Sequence, residues 1–445
     1  MGNSRDKKEN NTSMTLLLYI SALSMGIAYG AHVPLVPVFA RDVLNATYTE
    51  VGMIGMANYL PYAFFPLIVG LLLDRLNKGS MLLVGVSMAL ASIAMLSISR
   101  SVLDLALIRA FSGIAHAFFW PSAEAMISMR GDDDEHGNDD RSSSTSKNKN
   151  DNSSNSNSSS SLDTVRSISR FTMAWVSGYM AGPLIGSSLF HLGYIQLFIY
   201  SSTMIIPALI CSIILLSRRY GQGSMPTDYR SMNGKERDRK RKKRRSNSSS
   251  STMYLALMSM IRGRVMLIAM IMYYSASFAI LLSIVPSYMK DNGIDEQLIG
   301  LLFFIFGIAR LLTLFSIQLF ARYEHISIII ASIAIASSML IMYITPTSYH
   351  FGIALLALGF AFSIYFPITL TMLTRNVPSM MIGSMVGLYE TIFGVGWALG
   401  PVASGIVADT FSIDAPYLAM FLVGVVIIPL YMVLRLRAGT TTVTK

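Results

Sequence analysis

The chain is short of charge and nearly devoid of cysteine. Of its 445 residues, 13% are Asp, Glu, Lys or Arg, where a soluble globular chain carries about 25%. At this length a soluble chain would form about two to three domains, and too few polar side chains are present to cover them. A single cysteine, Cys211, excludes an intramolecular disulfide framework and a paired-cysteine zinc site. No Walker A loop occurs, so ATP is not the expected energy source. Outside one low-complexity tract no cluster of acids could hold catalytic metal ions, which argues against a nuclease or polymerase. No metal and no cofactor is expected, and the chain does not read as an enzyme. Strict polar and apolar alternation is also missing, which excludes a transmembrane β-barrel.

What is present is apolar sequence: 53% of residues are hydrophobic. Twelve segments, near 14–40, 48–73, 80–99, 102–129, 168–190, 194–217, 265–289, 296–321, 326–345, 350–374, 379–409 and 415–434, are long enough to cross ~30 Å of hydrocarbon at about 1.5 Å per residue. The expected fold is therefore all-α and integral to a membrane, with twelve transmembrane helices. Residues 1–217 and 252–445 form its two halves, and residues 218–251 form a basic linker between them.

The net charge of +10 at first suggests a nucleic-acid partner. Residues 218–245, however, hold twelve Lys/Arg against three acids and so carry nearly all of that excess. A basic loop beside transmembrane helices marks the cytosolic side. With the N-terminus inside, thirty Lys/Arg lie in inside regions and only Arg41, Arg100 and Lys290 outside, while Arg109 and Arg310 fall within helices. Both termini are thus expected in the cytoplasm of a multi-pass plasma-membrane protein, with lipid around it and no nucleic-acid partner. Residues 131–161, rich in Asp, Ser and Asn, are expected to be a disordered cytosolic insertion. Residues 252–264 read as a short interfacial helix.

The two halves repeat in the same direction. Val36-Pro37 and Arg41-Asp42 recur as Val285-Pro286 and Lys290-Asp291. Gly113 and Trp120-Pro121 recur as Gly359 and Phe366-Pro367. Gly178, Gly182 and Pro183 recur as Gly396, Gly400 and Pro401. The last spacing is shorter because the first half alone contains the Ser/Asn tract. Two six-helix bundles related by a parallel internal repeat follow, distinct from an inverted-repeat arrangement.

Three local motifs stand out. Gly70-Leu-Leu-Leu-Asp74-Arg75-Leu-Asn77-Lys78 joins the second and third segments. Arg109 and Gly113 lie in the fourth. Gly178-x-x-x-Gly182-Pro183-x-x-Gly186-Ser187 lies in the fifth. Together they resemble the major facilitator superfamily over nearly the whole chain, with Asn77 and Ser187 each standing in place of a family glycine. The resemblance implies a transporter whose bundles rock about a central site. It also implies a cytosolic gate of Gly70, Asp74, Arg75 and Lys78, which Glu124 and Arg130 are placed to join. The fifth-segment element is similar to one seen mainly in family antiporters, and it is the basis for expecting proton-coupled export of amphipathic organic compounds. Proton-coupled or facilitated uptake of a small organic solute is the alternative. A non-transporting receptor or scaffold using the basic loop is the alternative of another class. The partners are a small-molecule substrate and protons, and the expected state is a monomer.

The residues themselves point to a site. Arg109, Gly113, His116, Trp120 and Glu124 share one helical face, while the matching positions of the second half are apolar or aromatic. An arginine in hydrocarbon needs a partner or a wet cavity. Arg310 and Glu390 sit at similar depths, so they can form an ion pair, either static or broken by protonation of Glu390. The prolines 34 and 37 predict a bend in the first helix, beside His32. Tyr29, Tyr273 and Tyr274 are candidate cavity residues. The glycines and prolines at 178, 182, 183, 186, 396, 400 and 401 are expected to pack helices closely.

Overall fold

The computed structural model describes residues 2–73, 76–139, 153–220, 264–374 and 382–440. Among them the regular elements are helices, and they group into twelve rods. Rod α1 runs Gly2–His32, tightens into a 3₁₀ turn at Val33–Leu35 and resumes over Val36–Asp42. Then follow α2 (Tyr48–Leu73), α3 (Lys78–Leu96), α4 (Val102–Asp139) and α5 (Ser153–Leu189). Rod α6 is made of Tyr194–Thr203 and Ile206–Tyr220. In the second half, α7 comprises Val265–Ser283 and Val285–Asp291, and α8 comprises Glu296–Phe315 and Ile317–Ala321. The chain closes with α9 (Glu324–Ile344), α10 (Ser348–Thr374), α11 (Ile382–Thr410) and α12 (Ala415–Thr440).

Ten of these rods contain a described stretch long and apolar enough to cross a membrane. Large apolar side chains such as Leu107, Leu312, Phe315 and Val426 point outward from the protein, as lipid-facing helices require. The helix extends into both ends of the tract expected to be disordered, because adding residues to an existing helix costs far less than nucleating a new one. Residues 140–152 of that tract, residues 221–263 with the basic linker, and Asp74 and Arg75 lie outside the described residues. So do the surroundings of Gly70 and the side chain of Arg130, whose backbones belong to α2 and α4.

The repeat is visible in the packing. In the first half α1 packs on α5, α2 on α4, and α3 on α4 and α6. Six rods later, α7 packs on α11, α8 on α10, and α9 on α10 and α12. Across the seam between the halves, α2 packs on α11 and α8 on α5. An even number of rods brings both chain ends to one face of the membrane, here the terminal face; the other is the distal face.

Proline shapes the first rod of each half. Pro34 and Pro37 lack the N–H that would continue the helix, and α1 breaks there as expected. Pro286 sits at the same place in α7, where the helix breaks at Ile284. Each break sends a seven-residue end piece across the distal seam, where Val36–Asp42 packs on Val285–Asp291.

Asn77 occupies the loop position where the family pattern has glycine. Its side chain accepts a hydrogen bond from the Gly79 N–H at 2.9 Å and caps α3. At Ser187, also in place of a family glycine, the added side chain meets Gly300 of α8. The missing side chain opposite leaves room for it.

Candidate functional site

The distal seam is closed by a reciprocal set of contacts. Arg41 donates to Asp291 at 2.8 Å, and Lys290 lies 4.0 Å from Asp42. These four residues are the repeat-related pair Arg41-Asp42 and Lys290-Asp291, each cation meeting the acid of the other half. Tyr48 adds a hydroxyl donation to Asp291 at 2.8 Å. Asp409 of α11 accepts from the Tyr48 and Thr49 backbone N–H groups at 3.0 and 2.7 Å, where the carboxylate caps the start of α2. Lys290 also pairs with Glu296. The cross-seam ion pairs among the described residues all lie at this end.

Beneath the latch is a narrow cleft shared by both halves. Val33, Pro37, Val51 and Gly55 line it from the first half, Leu282 and Ser283 from the second, and Arg109 forms its floor. Arg109 is 5% exposed, and its Nε and Nη1 have no hydrogen-bond partner. His116 packs on Tyr29 with ring centroids 4.0 Å apart and planes tilted by 38°, and the Tyr29 and Ser112 hydroxyls lie 3.1 Å apart. Trp120 meets Trp175 edge-on at 4.9 Å, and Trp175 stacks on Tyr179 at 6.0 Å. His32 Nδ1 lies 2.8 Å from the Ala28 carbonyl. A carbonyl only accepts, so Nδ1 carries the proton there, and the buried Nε2 is without a partner.

The second half supplies an aromatic wall, as the sequence comparison suggests. Tyr274 stacks on Tyr365 at 4.8 Å, Phe278 meets Phe362 at 4.8 Å, and Trp397 lies 4.9 Å from Phe393. Trp397 also reaches across the seam to Tyr59 of α2 at 4.4 Å. Arg310 stands in this wall with its guanidinium 5.3 Å from the Phe278 ring centre, and its Nε is buried without a partner.

Arg310 and Glu390 do not form the ion pair that their similar depth permits. Their helices make no close pairing: α8 packs on α10 and α5, whereas α11 packs on α2 and α7. Depth along a helix says nothing about which helix stands beside it. Glu390 is instead exposed and close enough to act electrostatically on Glu124, also exposed, of α4. Each carboxylate belongs to one half, Glu124 fifteen residues beyond Arg109 toward the terminal end of α4 and Glu390 eight residues from the terminal end of α11. Tyr273 is not a cavity residue, since its hydroxyl points at Gly424 of α12. Lys78 opens α3 at the terminal face.

The glycines of α5 serve close packing. Gly178 abuts the α1 backbone at Leu23 and Ile27, Gly182 abuts Gly30, and Gly186 abuts Ala31, each too closely for a Cβ. Gly396 and Gly400 of α11 repeat this against Ser275 and Ala276 of α7. Pro183 and Pro401 lie inside their helices, each just after the second glycine.

Sequence reasoning missed Tyr59, Trp175, Tyr179 and Trp397. Tyr179 and Trp397 stand at variable positions inside the two Gly-x-x-x-Gly-Pro elements, and aromatics in apolar segments give no signal until the helices are packed. The latch was legible only as a repeat of two short charged pairs.

Two helical bundles, a seam sealed at one face and polar groups gathered at its centre define a membrane transporter. The Major Facilitator Superfamily family model matches residues 18–137, 159–384 and 265–445, and the chain belongs to that family. Among solved structures, a mutant form of the nucleoside transporter NupG aligns with TM-score 0.72 at 13% identity, covering 94% of this chain and 99% of that one. A POT family transporter in complex with a thioalcohol-conjugated peptide aligns with TM-score 0.70 at 10% identity, covering 95% and 96%. A D-xylose-proton symporter aligns with TM-score 0.67 at 11% identity, covering 94% and 97%. At these identities the likeness concerns the fold. No curated protein matches the sequence.

Proposed function

We propose that the protein is a proton-coupled exporter of amphipathic organic compounds, working by alternating access in the plasma membrane with both termini in the cytoplasm. The observation that carries the coupling is that Glu390 of one half lies within electrostatic range of Glu124 of the other, on the terminal side of a seam that is closed distally. Two carboxylates that approach as the halves close cannot both stay ionised without mutual repulsion. Proton uptake and release at that pair would therefore follow the rocking of the bundles. The bias of Lys and Arg toward the terminal face supports the orientation. The antiporter-like element of α5 supports exchange. It packs α5 on α1, and its outer end at Ser187 also meets α8 of the other half, where a leak path would run.

A second reading, uptake together with protons, is favoured by the likeness to a solved D-xylose-proton symporter. Liposomes containing the protein and an internal pH dye separate the two. A solute entering by exchange drives protons out and raises internal pH, whereas symport lowers it. Phenylalkanoates, nucleosides and pentoses are suitable test solutes, with protein-free liposomes as the blank. Solute flux with no pH change would rule out both coupled forms.

A further inference from the structure

Two arginines without acidic partners stand unexplained in the membrane interior: Arg109 is buried, and Arg310 is partly exposed with its Nε buried. Arg109 lies seven residues into α4 from the distal end and Arg310 fourteen residues into α8, or about 10 Å and 21 Å deep at 1.5 Å per residue. Tyr179 of α5, ten residues before the distal end of its helix, falls at about 15 Å and within electrostatic range of both guanidinium groups. No ion pair among the described residues includes either arginine, and three of their N–H-bearing nitrogens are buried without a partner.

A cation held in a membrane interior costs several kcal/mol by most estimates unless something compensates it. Structural arginines are normally compensated by a carboxylate from the same protein. The two nearby acids are not available for this. Glu124 lies fifteen residues from Arg109 along α4, about 22 Å away, and Glu390 stands on a helix that does not pack against that of Arg310. Hence the fold holds two positive charges at its centre and leaves them open to a partner from outside the chain. The walls around them are aromatic: Trp175 and Tyr179 on one side, Phe278 and Phe362 on the other.

We infer that the solute is an organic anion with an aromatic or otherwise apolar body, its negative head held by the guanidinium groups of Arg109 and Arg310. This rests on the transport reading above and narrows its substrate class. A carboxylate or phosphate head matches the paired N–H geometry of a guanidinium, and the body lies against the rings. Both arginines serve the same molecule at different stages. Arg310 is partly exposed and lies deeper from the distal face, and Arg109 lies under the distal latch.

Three probes with one body and different heads test this: 4-phenylbutyrate, its uncharged amide and 4-phenylbutylamine. Binding is measured on the purified full chain in detergent by thermal shift and by isothermal titration. The anion is expected to bind at least about tenfold more tightly than either analogue, the scale of one charge-assisted hydrogen bond. That preference should vanish in the double variant Arg109→Gln, Arg310→Gln. The ligand-free double variant should melt no lower than the natural chain, since uncompensated buried charge is removed. If it does not fold, Arg310→Gln alone reads the same preference. A chain that binds amide or amine as well as the anion, that binds none of the three, or that keeps its preference without the arginines overturns the inference. Binding in detergent requires no flux, so a protein that binds the anion selectively but moves nothing in liposomes would instead defeat the transport reading.

Discussion

Arg41 and Asp291 meet at 2.8 Å across the distal seam, and each is the repeat counterpart of a residue in the other's partner pair. The twofold relation between the halves turns the sequence pairs Arg41-Asp42 and Lys290-Asp291 into a crossed latch. It forms only when the end pieces of α1 and α7 are together, so it belongs to one conformation of the transporter.

Asp291 serves two donors, Arg41 and Tyr48. Asp291→Asn should destabilise the distal-closed state by about 1–2 kcal/mol, a population shift of roughly five- to thirtyfold. A cysteine placed at Val51, which lines the cleft below the latch, reports it. In a Cys211→Ser background, a membrane-impermeant maleimide should label Val51→Cys faster when Asp291→Asn is added. Unchanged labelling would mean that the latch does not hold the seam.

Two glycines should separate packing within a half from packing between halves. Gly182 abuts Gly30 inside the first bundle, and Gly405 abuts the Tyr48 backbone across the seam. Gly182→Ala should lower the melting temperature, with overpacking costing about 1–3 kcal/mol. Gly405→Ala should leave melting nearly unchanged and increase labelling at Val51→Cys, because it obstructs only the closed state.

Glu124→Gln removes one of the two carboxylates that interact electrostatically across the seam. It should abolish solute accumulation driven by a pH gradient while leaving exchange of labelled for unlabelled solute within about threefold of the natural chain, since such exchange needs no net proton movement. Loss of both activities would place Glu124 in solute binding and not in coupling.

Asn77→Ala removes the side-chain cap of α3 and should cost about 1 kcal/mol, whereas Asn77→Gly should cost only a few tenths. Thermal unfolding of the two variants measures the difference. Equal losses would mean that the cap contributes nothing.

The Arg109 stripe shows how far the sequence reaches toward the site. An arginine among apolar residues is conspicuous, and its helical spacing with His116 and Trp120 places all three on one face. The stripe did not reveal that Tyr29 packs against His116 or that Tyr59 meets Trp397 across the seam. Those neighbours come from other helices. The expected pairing of Arg310 with Glu390 failed for the same reason, because depth was legible and adjacency was not.

The sequence by itself determined the membrane-spanning helices, the doubling of the chain and the bend at Pro34 and Pro37. These follow from local chemistry: apolar runs long enough for the hydrocarbon, charges that stay in water, and prolines that cannot continue a helix. Only the tertiary structure decided that Arg41 meets Asp291, that Glu390 lies within electrostatic range of Glu124 and that Arg109 and Arg310 stand without acids. A charge far from water is stabilised or left uncompensated by whatever lies within a few ångströms of it. In a bundle of helices those neighbours come from distant parts of the chain.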